Sequence, residues 1–434
     1  MLKRLINSRF ARNVALVATG TAGAQAITMA FSPVITRLYG PEAFGLLGTF
    51  TATLAIAMPI SALTYPIAIV LPKKDDDARS IAKLSLLLAF FISLLVAVIL
   101  FFGDQAIARL LNLESIAPYL LLIPAAMFLN SLQQIMQQWL IRKKQFKVSA
   151  RIAITQSLIL NSAKTGVGFI HPAGAALIVL ATLGNALYAI QLWLGAKRWT
   201  KPEDHIHRPK EQLAKPKTLA HQHRDFPFFR APQITINALA QGLPILMLTS
   251  FFGPASAGFY SLSRAVLAMP TALIGKAVGD VFYPRINEAT QKSENVFRLL
   301  LKATLSLGAI GIIPFGLIIL FGPTLFTWLF GHDWIKAGEY SSWLALWLYF
   351  MFMNNPSNQT IPVLGLQRFY LFFSLTSTAI RAFALVLGFL LFQSDILAVA
   401  LFSIAGALIN IALISIVLWH SKRFSTSIKD KNAY

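Results

Sequence analysis

The sequence lacks cysteine altogether and is poor in charged residues. The absence of cysteine from all 434 residues excludes disulfides, thiolate metal sites and a cysteine nucleophile. Only 13% of the residues are charged, against about 25% in an ordinary soluble domain, whereas 56% are hydrophobic. This composition excludes a typical soluble protein and indicates a chain that lies within a lipid bilayer.

Motifs for nucleotide and metal chemistry are also lacking. No glycine-rich loop ends in Gly-Lys-Ser/Thr, the pattern that cradles ATP phosphates, and no HExxH zinc motif or paired-carboxylate site occurs. We therefore expect no catalytic residues, no metal site, no bound cofactor and a protein that is not an enzyme. Coupling to protons or to sodium is left open.

Long apolar runs fill most of the chain. A helix of about 20 residues crosses a hydrocarbon layer of about 30 Å, so these runs predict an all-α polytopic membrane protein with twelve transmembrane helices. The predicted spans are Asn13–Ile35, Ala43–Leu71, Ile81–Phe102, Ala117–Leu140, Val148–Ile170, Ala173–Gly195, Ala231–Phe251, Ala255–Phe282, Phe297–Phe321, Tyr340–Val363, Phe369–Leu391 and Ile396–Trp419. The shorter run Thr324–Trp334 is predicted to lie on the outer membrane surface.

The basic residues predict the orientation of these spans. The formal net charge is +21, and the Lys and Arg residues concentrate in alternate connecting segments, such as Lys73–Lys83, Arg142–Arg151 and Lys197–Arg230. Basic loops mark the side that is not translocated, which places both termini in the cytoplasm. The excess charge is thus a topology signal, with membrane lipids as partners and no nucleic acid.

An internal repeat divides the chain into two halves. Gly40-Pro41 corresponds to Gly253-Pro254, and Met58-Pro59 to Met269-Pro270, in the same order. Further on, Met127–Asn130 corresponds to Met351–Asn354 and Phe146 to Phe369. We predict six-helix lobes at residues 1–196 and 227–434, joined by a cytoplasmic linker at 197–226. A parallel repeat of this kind places substrate between the lobes.

Basic residues inside predicted spans are the candidate site. Arg264 and Arg381 lie roughly 15–18 Å from their span ends, near the middle of the membrane, where an ionised group costs about 2.5–3.5 kcal/mol. This favours a polar cavity over an internal ion pair. Lys164 fits either the cavity or the outer interface. Lys276 and Asp280 are spaced i and i+4 on one helix and can form an ion pair. This pair could couple ion movement to transport, but a purely structural role is narrowly favoured.

Amide side chains recur at matching places in the two halves. Asn130 and Gln134 fall in the fourth span, and Asn354 and Asn358 fall in the tenth. Such amides serve either as bonds between helices or as donors to sugar hydroxyls, and their recurrence favours a cavity. Because the intramembrane charges are mainly positive, we expect an anionic cargo such as a diphosphate.

Three segments of the sequence resemble the Wzx-type polysaccharide flippases of the multidrug/oligosaccharidyl-lipid/polysaccharide exporter (MOP) superfamily. They are Ile35-Thr36-Arg37-Leu38-Tyr39-Gly40-Pro41-Glu42-Ala43-Phe44-Gly45, Gly258-Phe259-Tyr260-Ser261 and Phe282-Tyr283-Pro284-Arg285. The twelve spans and the duplication extend the resemblance over nearly the whole chain.

The resemblance implies two lobes in a V around a central cationic cavity in the bacterial inner membrane. It implies alternating-access transfer of an undecaprenyl-diphosphate-linked oligosaccharide to the periplasmic leaflet, for O-antigen, capsule or exopolysaccharide. A polysaccharide polymerase and a chain-length regulator are the implied partners. On this hypothesis Arg264, Arg381 and Lys164 hold the diphosphate, and the amides Asn130, Gln134, Asn354 and Asn358 touch the sugars.

Other functions stay open at this point. A drug or cation antiporter of the same superfamily would carry acidic residues in its cavity. A lipid II-type flippase would share the cationic cavity, but such proteins usually have two more spans than are predicted here. A membrane-embedded glycan polymerase would need large periplasmic loops or acidic catalytic residues, and the predicted outer loops are short.

Overall fold

The computed structural model describes residues 9–199, 216–292 and 294–431, and within these the side chains of residues 9–15, 17, 198–199, 216–217, 269–281 and 425–431 are not described. All regular structure in the described ranges is helical. The contacts between residues divide the chain into two compact units, Met1–Ala257 and Gly258–Tyr434. The predicted lobes and linker follow from the sequence repeat and stay a prediction.

The first unit contains eight α-helices among its described residues. They are α1 (Arg9–Ser61), α2 (Tyr65–Ala68), α3 (Asp75–Leu111), α4 (Leu122–Arg142), α5 (Phe146–Ile170), α6 (Gly174–Trp199), α7 (Pro216–Gln222) and α8 (Ala231–Phe252). A short 3-10 helix covers Glu114–Tyr119, and a π-helical turn covers Phe226–Arg230. Helix α1 packs along both α5 and α8.

The second unit contains the remaining α-helices of the described residues. They are α9 (Pro254–Gln291), which starts just before the unit boundary, α10 (Val296–Phe330), α11 (Ile335–Met353), α12 (Asn355–Thr360), α13 (Gln367–Phe392) and α14 (Asp395–Lys431). Helix α11 packs against α10 and α14, and α13 packs against α14. Helix α14 thus connects the element that carries Arg381 to the broken helix α11–α12.

Each of the twelve predicted spans falls mainly on a helix of the structure, and α1 contains the first predicted span and most of the second. In the described residues, seven helices are long and apolar enough to cross a membrane, with α1 counted once. The other four predicted spans fall on α4, α5, α9 and α11, of which α4 and α5 carry many polar residues. The prediction of an all-helical, multi-pass membrane protein is confirmed.

Both predicted Gly-Pro turns are sharp breaks between helices. Gly40 has φ 69° and ψ 173°, and Gly253 has φ 87° and ψ 174°. This backbone region is essentially confined to glycine, and the following Pro41 and Pro254 disfavour helical geometry at the residue before them. The two copies of the motif therefore adopt one conformation for one physical reason.

The region of the two turns is closely packed within the first unit. A Cβ atom at Gly45 would lie 1.6 Å from the carbonyl oxygen of Pro254, so only glycine allows this approach. One turn further along α1, the hydroxyls of Thr49 and Thr249 share a buried hydrogen bond. Small residues bring α1 and α8 together in the manner usual for helices in membranes.

Two predicted segments differ from the helices that the structure shows. The run Thr324–Trp334 is not a separate surface segment, because α10 continues to Phe330 and packs tightly on α11 where Gly322 faces Gly338. The tenth span is not continuous, because α11 ends at Met353 and α12 begins at Asn355, next to Pro356. A proline removes one helical hydrogen bond and its ring clashes with the preceding turn.

The second predicted span was also too long. Helix α1 ends at Ser61, well before Leu71, and both Leu63 and Thr64 have positive φ. The short helix α2 follows, with Pro66 in its first turn. Two consecutive residues in the left-handed region cannot continue a right-handed helix, so the chain turns at this point.

Arg142 holds the turn that precedes α3. Its guanidinium donates to the carbonyl oxygens of Ile69 at 3.1 Å and Pro72 at 2.6 Å, and to Asp75 Oδ1 at 2.8 Å. Lys143 donates to the other oxygen of Asp75. Burial raises the pKa of Asp75, but the hydrogen bonds from Lys143 and Arg142 outweigh it and hold that pKa below its ordinary value.

Candidate functional site

Arg381 lies on a seat of aromatic rings in the second unit. Its guanidinium carbon is 4.9 Å from the centre of the Trp347 ring and 5.6 Å from that of Phe402. Its Nε donates weakly, at 3.4 Å, to the carbonyl oxygen of Ser377 one turn earlier on α13. Among the described residues, no carboxylate forms a salt bridge with this arginine. The aromatic faces therefore supply much of its electrostatic compensation within the protein.

Tight helix packing fixes this aromatic seat. Trp347 projects from α11 and Phe402 from α14, both buried, with ring centroids 5.3 Å apart and edge to face. A Cβ atom at Gly406 would lie 2.6 Å from Trp347 Cδ1, so a glycine one turn after Phe402 makes room for the indole. The guanidinium of Arg381 consequently rests on rings that cannot easily move.

Arg264 joins the same cluster from α9. Its Nη1 donates to the hydroxyl of Tyr260 at 3.4 Å, one turn earlier, and the Tyr260 ring is fully buried. That ring packs edge to face on Phe402, with centroids 6.3 Å apart. Arg264 and Arg381 are linked through the packed rings of Tyr260 and Phe402. The structure thus brings together the two arginines that the sequence singled out.

This arrangement suits an anion. Two partly buried cations on an aromatic surface raise each other's electrostatic energy, and a cation–π contact returns only about 0.5–2 kcal/mol. A bound anion would relieve the repulsion. A guanidinium stacked on rings keeps its N–H donors at its edge, in the plane that matches phosphate oxygens.

Lys164 belongs to the first unit. It lies on α5, and its backbone carbonyl accepts a hydrogen bond from the Tyr39 hydroxyl at 2.8 Å. One turn later Gly168 packs against the Tyr39 ring, and one turn earlier Asn161 bonds to Thr28 of α1. Lys164 is therefore on the side of α5 that meets α1. Its predicted joint role with the arginines stays a prediction.

The amides of the first unit differ in accessibility. Asn130 is buried in α4, and its Nδ2 donates to the Ala126 carbonyl oxygen at 3.0 Å. Gln134, one turn further along α4, is partly exposed. In this conformation Asn130 supports the helix, whereas Gln134 has more room to meet a ligand.

The amides of the second unit stand at the break between α11 and α12. Asn354 is buried, and its Nδ2 donates to Asn410 Oδ1 on α14 at 3.0 Å; Asn410 in turn donates to the Gly406 carbonyl at 2.8 Å. Asn354 Oδ1 and Asn358 Oδ1 are buried without a hydrogen-bond partner among the described atoms. The helix break is thereby joined to the same turn of α14 that seats Trp347.

The sequence did not predict the aromatic rings of the site, and the side chains of two predicted residues are not described. The aromatic seat was not predicted, although Tyr260 precedes Arg264 by four residues and so shares its helix face. The backbone of Lys276 and Asp280 is helical, but their side chains lie outside the described residues. Within the described residues, no group of three His, Asp or Glu side chains could hold a metal ion.

A model of a protein family described as polysaccharide biosynthesis protein matches residues 34–339. This range covers well over half of the sequence and includes the Gly-Pro turns, Lys164 and Arg264. The chain belongs to this family. No curated protein matches its sequence significantly.

Solved structures show the fold of this polysaccharide biosynthesis protein. An inward-facing multidrug resistance MATE family transporter of the MOP superfamily is similar with a TM-score of 0.66 and 14% identity, over 95% of this chain and 99% of that one. The lipid II flippase MurJ in an inward closed conformation is similar with a TM-score of 0.68 and 12% identity, over 95% of this chain and 90% of that one. The predicted all-helical membrane fold is confirmed, and it is similar to that of a MATE transporter and of MurJ.

The family model thus shows a polysaccharide biosynthesis protein, and the solved structures show its fold. At these low identities, the likeness to solved structures carries the fold alone. The substrate has to be argued from the residues of this chain.

Proposed function

We propose that this protein is a flippase for a lipid-linked oligosaccharide. On this proposal it moves an undecaprenyl-diphosphate-linked repeat unit from the cytoplasmic to the periplasmic leaflet by alternating access, for surface polysaccharide assembly. The observation that carries the proposal is the pair Arg264 and Arg381 on one aromatic cluster, in a member of the polysaccharide biosynthesis family.

The charge of the cluster supports a diphosphate substrate. A diphosphate linkage offers several anionic oxygens within a few ångströms, and each guanidinium can bind two of them through parallel N–H donors. A cationic drug would meet two like charges at the same place, which costs free energy at close range. The cluster thus favours a flippase for an anionic lipid over an antiporter for cations.

The remaining parts of the proposal follow from the sequence. Lys164 would add a third cation, and the amides Gln134 and Asn358, with Asn130 and Asn354, would meet the sugars. The protein would lie in the bacterial inner membrane with both termini in the cytoplasm, and it would deliver to a polymerase and a chain-length regulator. Proton or sodium coupling stays a prediction, with Asp280 as its carboxylate.

The test replaces the arginines in cells. In a strain that lacks the gene, the double variant R264A/R381A at normal protein level should yield less than about a tenth of the wild-type surface polysaccharide and should accumulate lipid-linked repeat units, because two phosphate contacts are lost. Arg423 is a matched control, since it also stacks on an aromatic ring, that of Trp419, at 3.7 Å. R423A should behave as wild type. Full polysaccharide from R264A/R381A would rule out the assignment.

A further inference from the structure

A groove opens at the basic end of the first unit, and none of the residues that line it belongs to the arginine cluster. It has a volume of about 370 Å³ and lies between α3, α4 and α6. Arg79 and Lys83 border it on α3, Met136 and Trp139 form its floor on α4, and Trp193 and Lys197 border it on α6. By the positive-inside rule this end faces the cytoplasm.

Helix packing creates the groove. Helices α3 and α6 each pack against α4, so α4 forms the floor and the other two form the walls. Arg79 and Lys83 are spaced i, i+4, as are Trp193 and Lys197, and each pair therefore projects from one helix face toward the groove. The fold brings three basic side chains from two helices to one rim.

The rim is cationic and the interior is apolar. Lys83 and Lys197 are exposed, and the Lys197 ammonium lies 4.9 Å from the centre of the Trp193 ring. Arg79 pairs with one carboxylate, that of Asp76, at 3.1 Å, and both side chains are largely exposed. The rim thus carries three cations, while tryptophan, methionine and aliphatic side chains line the interior.

The apolar surface continues from the groove toward the membrane interior. On α3, Leu86 and Phe90 follow Lys83 on the same helix face, and on α6, Ile190 and Leu183 precede Trp193 on its face. All four are exposed, Phe90 and Ile190 by about half. A ligand with an anionic head and a long apolar tail would therefore fit with its head at the rim and its tail between α3 and α6.

We propose that this groove binds an anionic phospholipid of the cytoplasmic leaflet. Arg79, Lys83 and Lys197 hold the phosphate, and Trp139, Trp193 and Met136 contact the first part of an acyl chain. The site shares no residue with the arginine cluster, and we assign it to a resident membrane lipid rather than to the transported molecule. This proposal is independent of the proposed transport function.

The test measures lipid binding to the purified full-length protein. Native mass spectrometry in detergent should show phosphatidylglycerol retained in preference to phosphatidylcholine with the same acyl chains. The double variant K83Q/K197Q should lower phosphatidylglycerol retention by about tenfold or more, because each basic residue near an anionic lipid surface contributes a factor of about five. The variant K83R/K197R, which keeps both charges, should restore it.

The control removes the same charge from the same end of the unit. Lys144, between α4 and α5, and Lys147, in the first turn of α5, are exposed and lie outside the groove, so K144Q/K147Q should retain phosphatidylglycerol like wild type. Unfolding temperatures without added lipid check that every variant is folded. Equal retention of the two lipids, or equal loss in K144Q/K147Q, would overturn the proposal. Displacement of phosphatidylglycerol by equimolar undecaprenyl phosphate would also overturn it, by showing a site for the carrier lipid.

Discussion

At the scale of single residues, the molecule depends on a few cations whose surroundings differ. Arg381 rests on two aromatic rings, whereas Arg142 is bound to backbone carbonyls and to Asp75. The first arrangement leaves N–H donors available for a ligand, and the second uses them to hold a turn. The same residue type therefore holds a turn in one unit and, on our proposal, binds substrate in the other.

Replacing the aromatic seat of Arg381 should weaken transport without removing a charge. In W347L the guanidinium loses a cation–π contact worth about 0.5–2 kcal/mol, so we expect a flipping rate roughly 2- to 30-fold lower in proteoliposomes. W419L removes the equivalent ring beneath Arg423 and is the control. If W347L flips at the wild-type rate while folded, the seat does not orient Arg381 for substrate.

The ion pair at Asp75 predicts a pH-dependent stability. Its folded pKa lies below the unfolded value of about 4, so its stabilising effect is complete above that value and is lost as the pH falls through the lower, folded pKa. Because the carboxylate is 40% exposed, solvent screening limits the effect to about 0.5–1 kcal/mol. Wild type should unfold at a higher temperature than D75N at pH 7, and the difference should shrink toward pH 3. A difference that grows on acidification would contradict this assignment.

At the scale of helices, the residue types at each position predicted the two Gly-Pro turns but did not predict where some helices end. Gly40-Pro41 and Gly253-Pro254 were predictable because glycine and proline act on their own backbone. The break at Pro356 was missed because the polar residues around it, Asn354 to Thr360, were interpreted as the cavity face of one continuous span. The extension of α10 through Pro323 was missed because its cause, close packing on Gly338, lies in another helix.

In the second Gly-Pro turn, Gly253 should not tolerate replacement by a residue with a side chain. At Gly253 a Cβ atom would meet nothing within 4 Å, so the cost of G253A comes from its backbone angles alone, about 1–3 kcal/mol. Gly316 also has open space but lies inside α10, where alanine is favoured by about 1 kcal/mol. Thermal unfolding should show G253A destabilised and G316A slightly stabilised. Equal stability of both variants would mean that Gly253 does not need its positive φ.

At the scale of the whole molecule, the sequence was enough to predict the class of protein and the candidate arginines. It was not enough to predict which helices contact one another. Charge and hydropathy along the chain were sufficient to predict a multi-pass helical protein and to select Arg264 and Arg381. They could not reveal that Tyr260, Trp347 and Phe402 meet, because no periodicity in one helix shows which neighbour it touches. The same limit applies to the lipid groove, which forms from three separate helices.

Flipping by the purified protein tests the central claim most directly. Proteoliposomes would contain a fluorescent undecaprenyl-diphosphate oligosaccharide, and its transfer between leaflets would be followed for wild type, R264Q/R381Q and the control R423Q. Wild type and R423Q should flip the lipid, and R264Q/R381Q should flip it at least about tenfold more slowly, since two phosphate contacts are lost. Equal rates for all three proteins would contradict the assignment of the arginine cluster to the diphosphate.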